Sequence, residues 1–214
     1  MSRQSKDNPA PVRSRRLWII IGVLGILAIA AAAGLSTKGG PTATNATIGE
    51  TQMVTVTGTA LPRYPKQGAD PAIGMRAPQL SGSSFDGTRI SIGDDGKPKI
   101  IVFLTHWCPH CQNDVNELTP YIDENGLPPG VEFYSVATAT DATAPNYPPS
   151  KWLADWPVPT MADSPENTAA NAFGLNAFPF FVFVTADGKV DFRFPGEIPP
   201  EALFQAAERL AASQ

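Results

Sequence analysis

The first sustained hydrophobic pattern in the chain is Leu17–Leu35, nineteen residues without a charge. At about 1.5 Å per helical residue it reaches roughly 28 Å, the thickness of a bilayer core, and predicts a transmembrane anchor. Residues 36–73 have no convincing period. They are rich in Gly, Thr, Ala and Ser, carry the proline-rich stretch "LPRYPKQGADP", and read as a flexible linker with a reach of about 30–35 Å. From Gly74 the pattern becomes that of a folded domain. "TRISI" alternates like a strand, and "KIIVFLT", Lys99 to Thr105, is an unbroken apolar run expected of a buried central strand. Val115, Leu118 and Ile122 fall at spacings of three and four and predict a helix from Pro109 to about Asp123, kinked or shortened by Pro120. "VEFYSVAT" is a second buried strand, and "SKWLADW" and "PENTAANAF" are short helical candidates. "FFVFV" and "KVDFRF" are strands joined by "TADG", with Asp187-Gly188 as the turn. "PPEALFQAAERLAA" is an amphipathic terminal helix opened by proline. The sum is an α/β domain over residues 74–214, long enough to bury a proper core.

Charge sharpens the N-terminal reading. Residues 1–16 hold Arg3, Lys6, Arg13, Arg15 and Arg16 against Asp7, although the whole chain carries −4. A basic tail before an apolar segment stays cytoplasmic and sends the remainder across the membrane. The predicted location is therefore the cell membrane, single-pass, with the domain outside. The alternative is a secreted form, because "AIAAAAG" offers small residues to a signal peptidase. An acidic body argues against nucleic acid as a partner. Asn45-Ala46-Thr47 is sequon-like and matters only in a host that glycosylates.

Chemistry is concentrated in "THWCPHC". The chain has two cysteines and two histidines, and all are here: His106, Cys108, His110 and Cys111. Cys-x-x-Cys at a helix start suits thiol–disulfide exchange. The helix N-terminus favours a thiolate at the first sulfur, and the second lies one turn on, able to resolve a mixed disulfide. Cys108 is then the attacking thiol and Cys111 the resolving thiol. His110 between them is expected to hydrogen-bond or charge-stabilise the Cys108 thiolate and make the disulfide more oxidising. Trp107 offers an apolar contact face. His106 is either a second electrostatic neighbour or a solvated residue at the strand end.

These features resemble the thioredoxin superfamily, and within it the membrane-anchored TlpA/ResA-like thiol–disulfide oxidoreductases. The resemblance rests on "GMRAPQLSGSSFDGTRISI", on "VFLTHWCPHC" and on "AFGLNAFPFFVFVTADGKV", in that order. It implies a thioredoxin-like fold, a central mixed sheet flanked by helices. It also implies a cis-proline at Pro179 facing the cysteines, with the backbone of the preceding Phe178 available to a client chain. Phe178 departs from the small or β-branched residue more common there. Asp114 matches an acidic position that manages the proton of the resolving cysteine in ResA-like members; on its own it reads equally as an exposed helix aspartate. The buried acid that thioredoxin carries on the strand is replaced by Val102. The implied partners are exported protein thiols or disulfides and a membrane or extracytoplasmic redox partner, without a cofactor. Family likeness points to a reductant, for instance in cytochrome c assembly, whereas Pro109-His110 is closer to DsbA-type oxidases.

Other chemistries fit less well. A structural disulfide across so short a loop would stabilise little. Two Cys and two His meet a zinc ligand count, but four ligands within six positions that include a proline wrap a tetrahedron poorly. A metal-delivering thioredoxin-like module would need a further histidine, and none follows His110. A thiol peroxidase of the peroxiredoxin type has proline where Ile101 stands.

Overall fold

In the computed structural model, which describes residues 49–213, eight strands and four helices follow one another. They are β1 (Thr55–Thr57), β2 (Gln79–Ser83), β3 (Arg89–Ile92), β4 (Lys99–Leu104), α1 (Pro109–Asn125), β5 (Glu132–Ala137), α2 (Pro149–Trp152), β6 (Thr160–Ala162), α3 (Thr168–Phe173), β7 (Phe180–Val184), β8 (Val190–Pro195) and α4 (Pro200–Ala212). The expected basic tail, the anchor Leu17–Leu35 and the sequon lie outside the described residues. Among the described residues no helix is long and apolar enough to cross a membrane.

A five-stranded mixed sheet in the order β6-β5-β4-β7-β8 carries the domain. β4 pairs in parallel with β5 and antiparallel with β7, so Phe103 lies opposite both Val136 and Phe180. Successive strand residues point to opposite faces. Ile100, Val102 and Leu104 therefore join Leu118 and Ile122 of α1 and Leu203 and Leu210 of α4 on one side. Ile101 and Phe103 join Phe173 of α3 and Leu80 and Ile92 of the β2–β3 pair on the other. Burial on both faces is the reason "IIVFL", Ile100 to Leu104, is apolar throughout, each such side chain contributing roughly 1.5–3 kcal/mol, while the buried Lys99 at the strand's start is paired with Asp95 and Glu132.

Several local expectations change. α1 continues through Pro120 to Asn125. The hydrogen bond a proline forfeits falls at Asn116, which is exposed, so water can supply the partner. "SKWLADW" yields a single helical turn. "PENTAANAF" is helical only from Thr168, because Asn167 is left-handed at φ 58°. The carboxylate of Asp163 accepts the N–H groups of Ala169 and Ala170 at 2.8 and 3.1 Å and fixes that start.

The largest correction concerns the linker. Residues 49–73, expected to be flexible, are packed onto the domain. β1 pairs with β2, Leu61 and Ala72 are buried, and the Leu61 N–H donates to Ala172 at 2.8 Å. Gly174 at φ 66° lets this segment approach; a Cβ there would stand 2.4 Å from the Pro62 carbonyl oxygen. Asp70 receives the guanidinium of Arg193 on β8, whose Nη1 also donates to the carbonyls of Pro62 and Phe173 at 3.0 and 2.7 Å. This ion pair is buried, with side-chain exposures of 0% and 7%. Apart from the three-residue β1–β2 pairing, the polar anchors are single residues whose partners lie more than a hundred positions away, which leaves no periodic trace in the sequence.

Candidate active site

β4 ends at Leu104 and the chain turns at once into α1. The Cys108 N–H donates to Thr105 O at 3.2 Å, and Cys108 is the extended N-cap of the helix, followed by Pro109 at the first helical position. Proline costs nothing there, since that N–H has no intrahelical partner. No side-chain hydrogen bond caps α1, so the Cys108 sulfur occupies the place of a capping oxygen at a positive helix end. Both thiols are free. The Cys108 Sγ donates to the Phe178 carbonyl at 3.6 Å, and the Phe178–Pro179 peptide is cis, as the resemblance implies.

The two sulfurs are not equivalent. Cys108 keeps 8% of its surface and Cys111 none. Burial pushes the Cys111 thiol well up, negative charge at Cys108 and Asp114 adds to this, and the Thr105 N–H on its Sγ at 3.5 Å opposes it. Asp114, one turn on, is not an exposed helix aspartate: it is 2% exposed. Its Oδ1 accepts the Ile198 N–H at 3.2 Å, and its Oδ2 has no partner. Desolvation carries the Asp114 pKa up to about 7, helped by Glu197 and Glu117 and opposed by the Ile198 bond and by His110.

The histidines differ from expectation. His110 is exposed, and its Nδ1 pairs with the Glu197 carboxylate rather than with Cys108. His106 is neither solvated nor free; it is 1% exposed. Its Nδ1 donates to Pro145 O at 2.6 Å and its Nε2 accepts the Asp141 N–H at 3.2 Å, while its carbonyl accepts from Gln112 and Asn146. It pins the loop 139–147 beside the cysteines. Trp107 donates from Nε1 to Ala139 O at 2.8 Å and meets the Phe178 ring edge-on at 6.1 Å. Trp107 and Phe178 thus form an apolar rim over Cys108.

Cys108, Cys111, Asp114, Trp107, Phe178 and Pro179 come together, with His110 at the edge. Sequence reasoning missed Glu197, 87 positions from His110, and the Ala139 carbonyl that orients Trp107. Neither carries a motif. His106 and His110 lead to different loops, and among the described residues no cluster of three or more His, Cys, Asp or Glu could hold a metal ion.

A model of the thioredoxin-like domain matches residues 85–211, more than half of the chain. The soluble secreted antigen MPT53 of Mycobacterium tuberculosis, and that of Mycobacterium bovis, are each 31% identical over 124 residues. The match covers 58% of this chain and 66% of theirs, just under two thirds of the relatives' length. A thiol:disulfide interchange protein of the thioredoxin family from Chlorobium tepidum shares the fold at a TM-score of 0.51 and 22% identity, covering 64% of this chain and 97% of its own. StoA from Bacillus subtilis does so at 0.51 and 19%, covering 63% and 98%. At these identities the structural likeness is one of fold.

Proposed function

The chain belongs to the thioredoxin-like domain family, and from that membership we propose that it is a thiol–disulfide oxidoreductase exchanging disulfides with exported proteins outside the cytoplasm. The observation that carries this is the pair of free thiols at the start of α1: Cys108 at the rim on the Phe178 carbonyl, Cys111 fully buried behind it. The Cys108 thiolate attacks a client disulfide, forms a mixed disulfide and releases one client thiolate. Cys111 loses its proton and attacks the Cys108 sulfur, releasing the second client thiolate. Two electrons pass to the client and the Cys108–Cys111 disulfide remains; the reverse sequence oxidises a client dithiol. Asp114 takes the Cys111 proton, since its unpartnered Oδ2 is buried one helical turn away and its pKa of about 7 suits both uptake and release near neutral pH. Trp107 and Phe178 receive apolar residues beside the client cysteine. A membrane or extracytoplasmic redox partner resets the pair after each turnover.

Location outside the cytoplasm is supported by the apolar segment Leu17–Leu35 behind its basic tail, and by the description of MPT53 as a secreted antigen. The activity is tested by equilibrating the protein in glutathione buffers of graded redox ratio and trapping free thiols with a mass-tagged alkylating reagent. A single two-electron transition is expected, lost in Cys108→Ala. Cys111→Ala should instead accumulate mixed disulfide through Cys108. Absence of exchange with both glutathione and peptide disulfides would overturn the assignment.

A further inference from the structure

His110 sits between the cysteines, and the loop after β8 reaches it. That loop is fastened on both sides of Glu197. The Gly196 N–H donates to Pro179 O at 2.8 Å, and the Ile198 N–H donates to Asp114 Oδ1 at 3.2 Å. Glu197 is thereby held between the Pro179 strand and the cysteine helix, with its carboxylate on His110 Nδ1. The other acidic groups near this site are Asp114, which is buried, and Glu117, which is exposed on α1.

Resting on the exchange activity described above, we propose that Glu197 is a positioning residue that sets the redox balance of the Cys108–Cys111 pair by acting as the counter-ion of His110. The thiolate exists only in the reduced form. A cation at the second helical position lowers the energy of a thiolate at the N-cap and so favours the dithiol, which makes the disulfide a stronger oxidant. A carboxylate bound to that cation cancels much of its field and weakens the oxidant. Glu197 therefore holds the "CPHC" sequence to a milder potential than its histidine alone would give.

The test measures the exchange equilibrium of parent, Glu197→Gln, His110→Ala and the double variant against a reference dithiol at intervals from about pH 5.5 to 8, and reads the largest difference between parent and variant. Glu197→Gln should shift the equilibrium toward the dithiol by about two- to fivefold, the scale of an exposed ion pair, or ~9–20 mV for two electrons. In the His110→Ala background the same substitution should shift nothing. Thermal melting should leave Glu197→Gln indistinguishable from parent, separating this role from a structural one. No shift, or an equal shift in both backgrounds, overturns the proposal. A parent that exchanges with no dithiol would instead sink the activity itself, so the two failures are distinct.

Discussion

Replacing Asp114 with asparagine should flatten the dependence of folding stability on pH. Asp114 is 2% exposed with one carboxylate oxygen unpartnered, and its pKa rises from 3.8 to about 7 on folding. Below about pH 4 the carboxyl is protonated in folded and unfolded chains alike, and folding carries no penalty. Between about 4 and 7 the unfolded chain ionises while the folded one stays protonated, so stability falls as pH rises. Above about 7 the buried site holds an anion and the loss is complete. Roughly three pKa units at about 1.36 kcal/mol each put the full loss at about 4 kcal/mol at most. Asparagine keeps an oxygen for the Ile198 N–H and carries no charge at any pH. Urea unfolding of the reduced protein and of Asp114→Asn at pH 4, 5, 6, 7 and 8 should give curves that converge at the acid end. They should separate progressively, with the variant the more stable by a few kcal/mol at pH 8. Groups that titrate in both proteins cancel from the difference. Parallel curves across this range would refute the reasoning.

Asp70→Asn should lower stability by about 3–5 kcal/mol, because it strands the buried Arg193 guanidinium without its counter-charge; denaturant midpoints would show this, and a change below about 0.5 kcal/mol would mean residues 49–73 contribute no anchoring. Phe178→Thr should weaken the preference for apolar residues flanking a client cysteine while leaving the Trp107 and Cys108 side of the rim in place. A panel of cysteine peptides, scored by exchange rate, reads this directly, and an unchanged ranking would remove Phe178 from the client surface. Alkaline carbonate washing of membranes should retain the full chain in the pellet and release a variant lacking residues 17–35. Recovery of the full chain in the supernatant would overturn the anchor.

Much of the site was legible along the chain because its chemistry is local. Cys108 and Cys111 owe their spacing to one helical turn, and an unbroken apolar strand delivers them to a helix start; periodicity and residue type suffice for both. Most of the order of strands and helices from Lys99 onward was legible for the same reason, since each longer element repeats its own period; the three-residue edge strand β6 (Thr160–Ala162) is too short to show one and was not read. Pro179 and Phe178 were found through resemblance to a family pattern, not through periodicity. What eluded the sequence is what depends on contacts between distant positions. The burial of Asp114, the turn of His110 toward Glu197 and the use of both His106 nitrogens to pin residues 141 and 145 have no periodic trace. Residues 49–73 look like a tether because prolines and small polar residues suppress any ladder pattern. They are nonetheless fixed by Leu61, Ala72 and the Asp70–Arg193 pair. A carboxylate's environment, unlike a helix's period, is set by whichever loop folds over it, and in this protein that loop is 196–198.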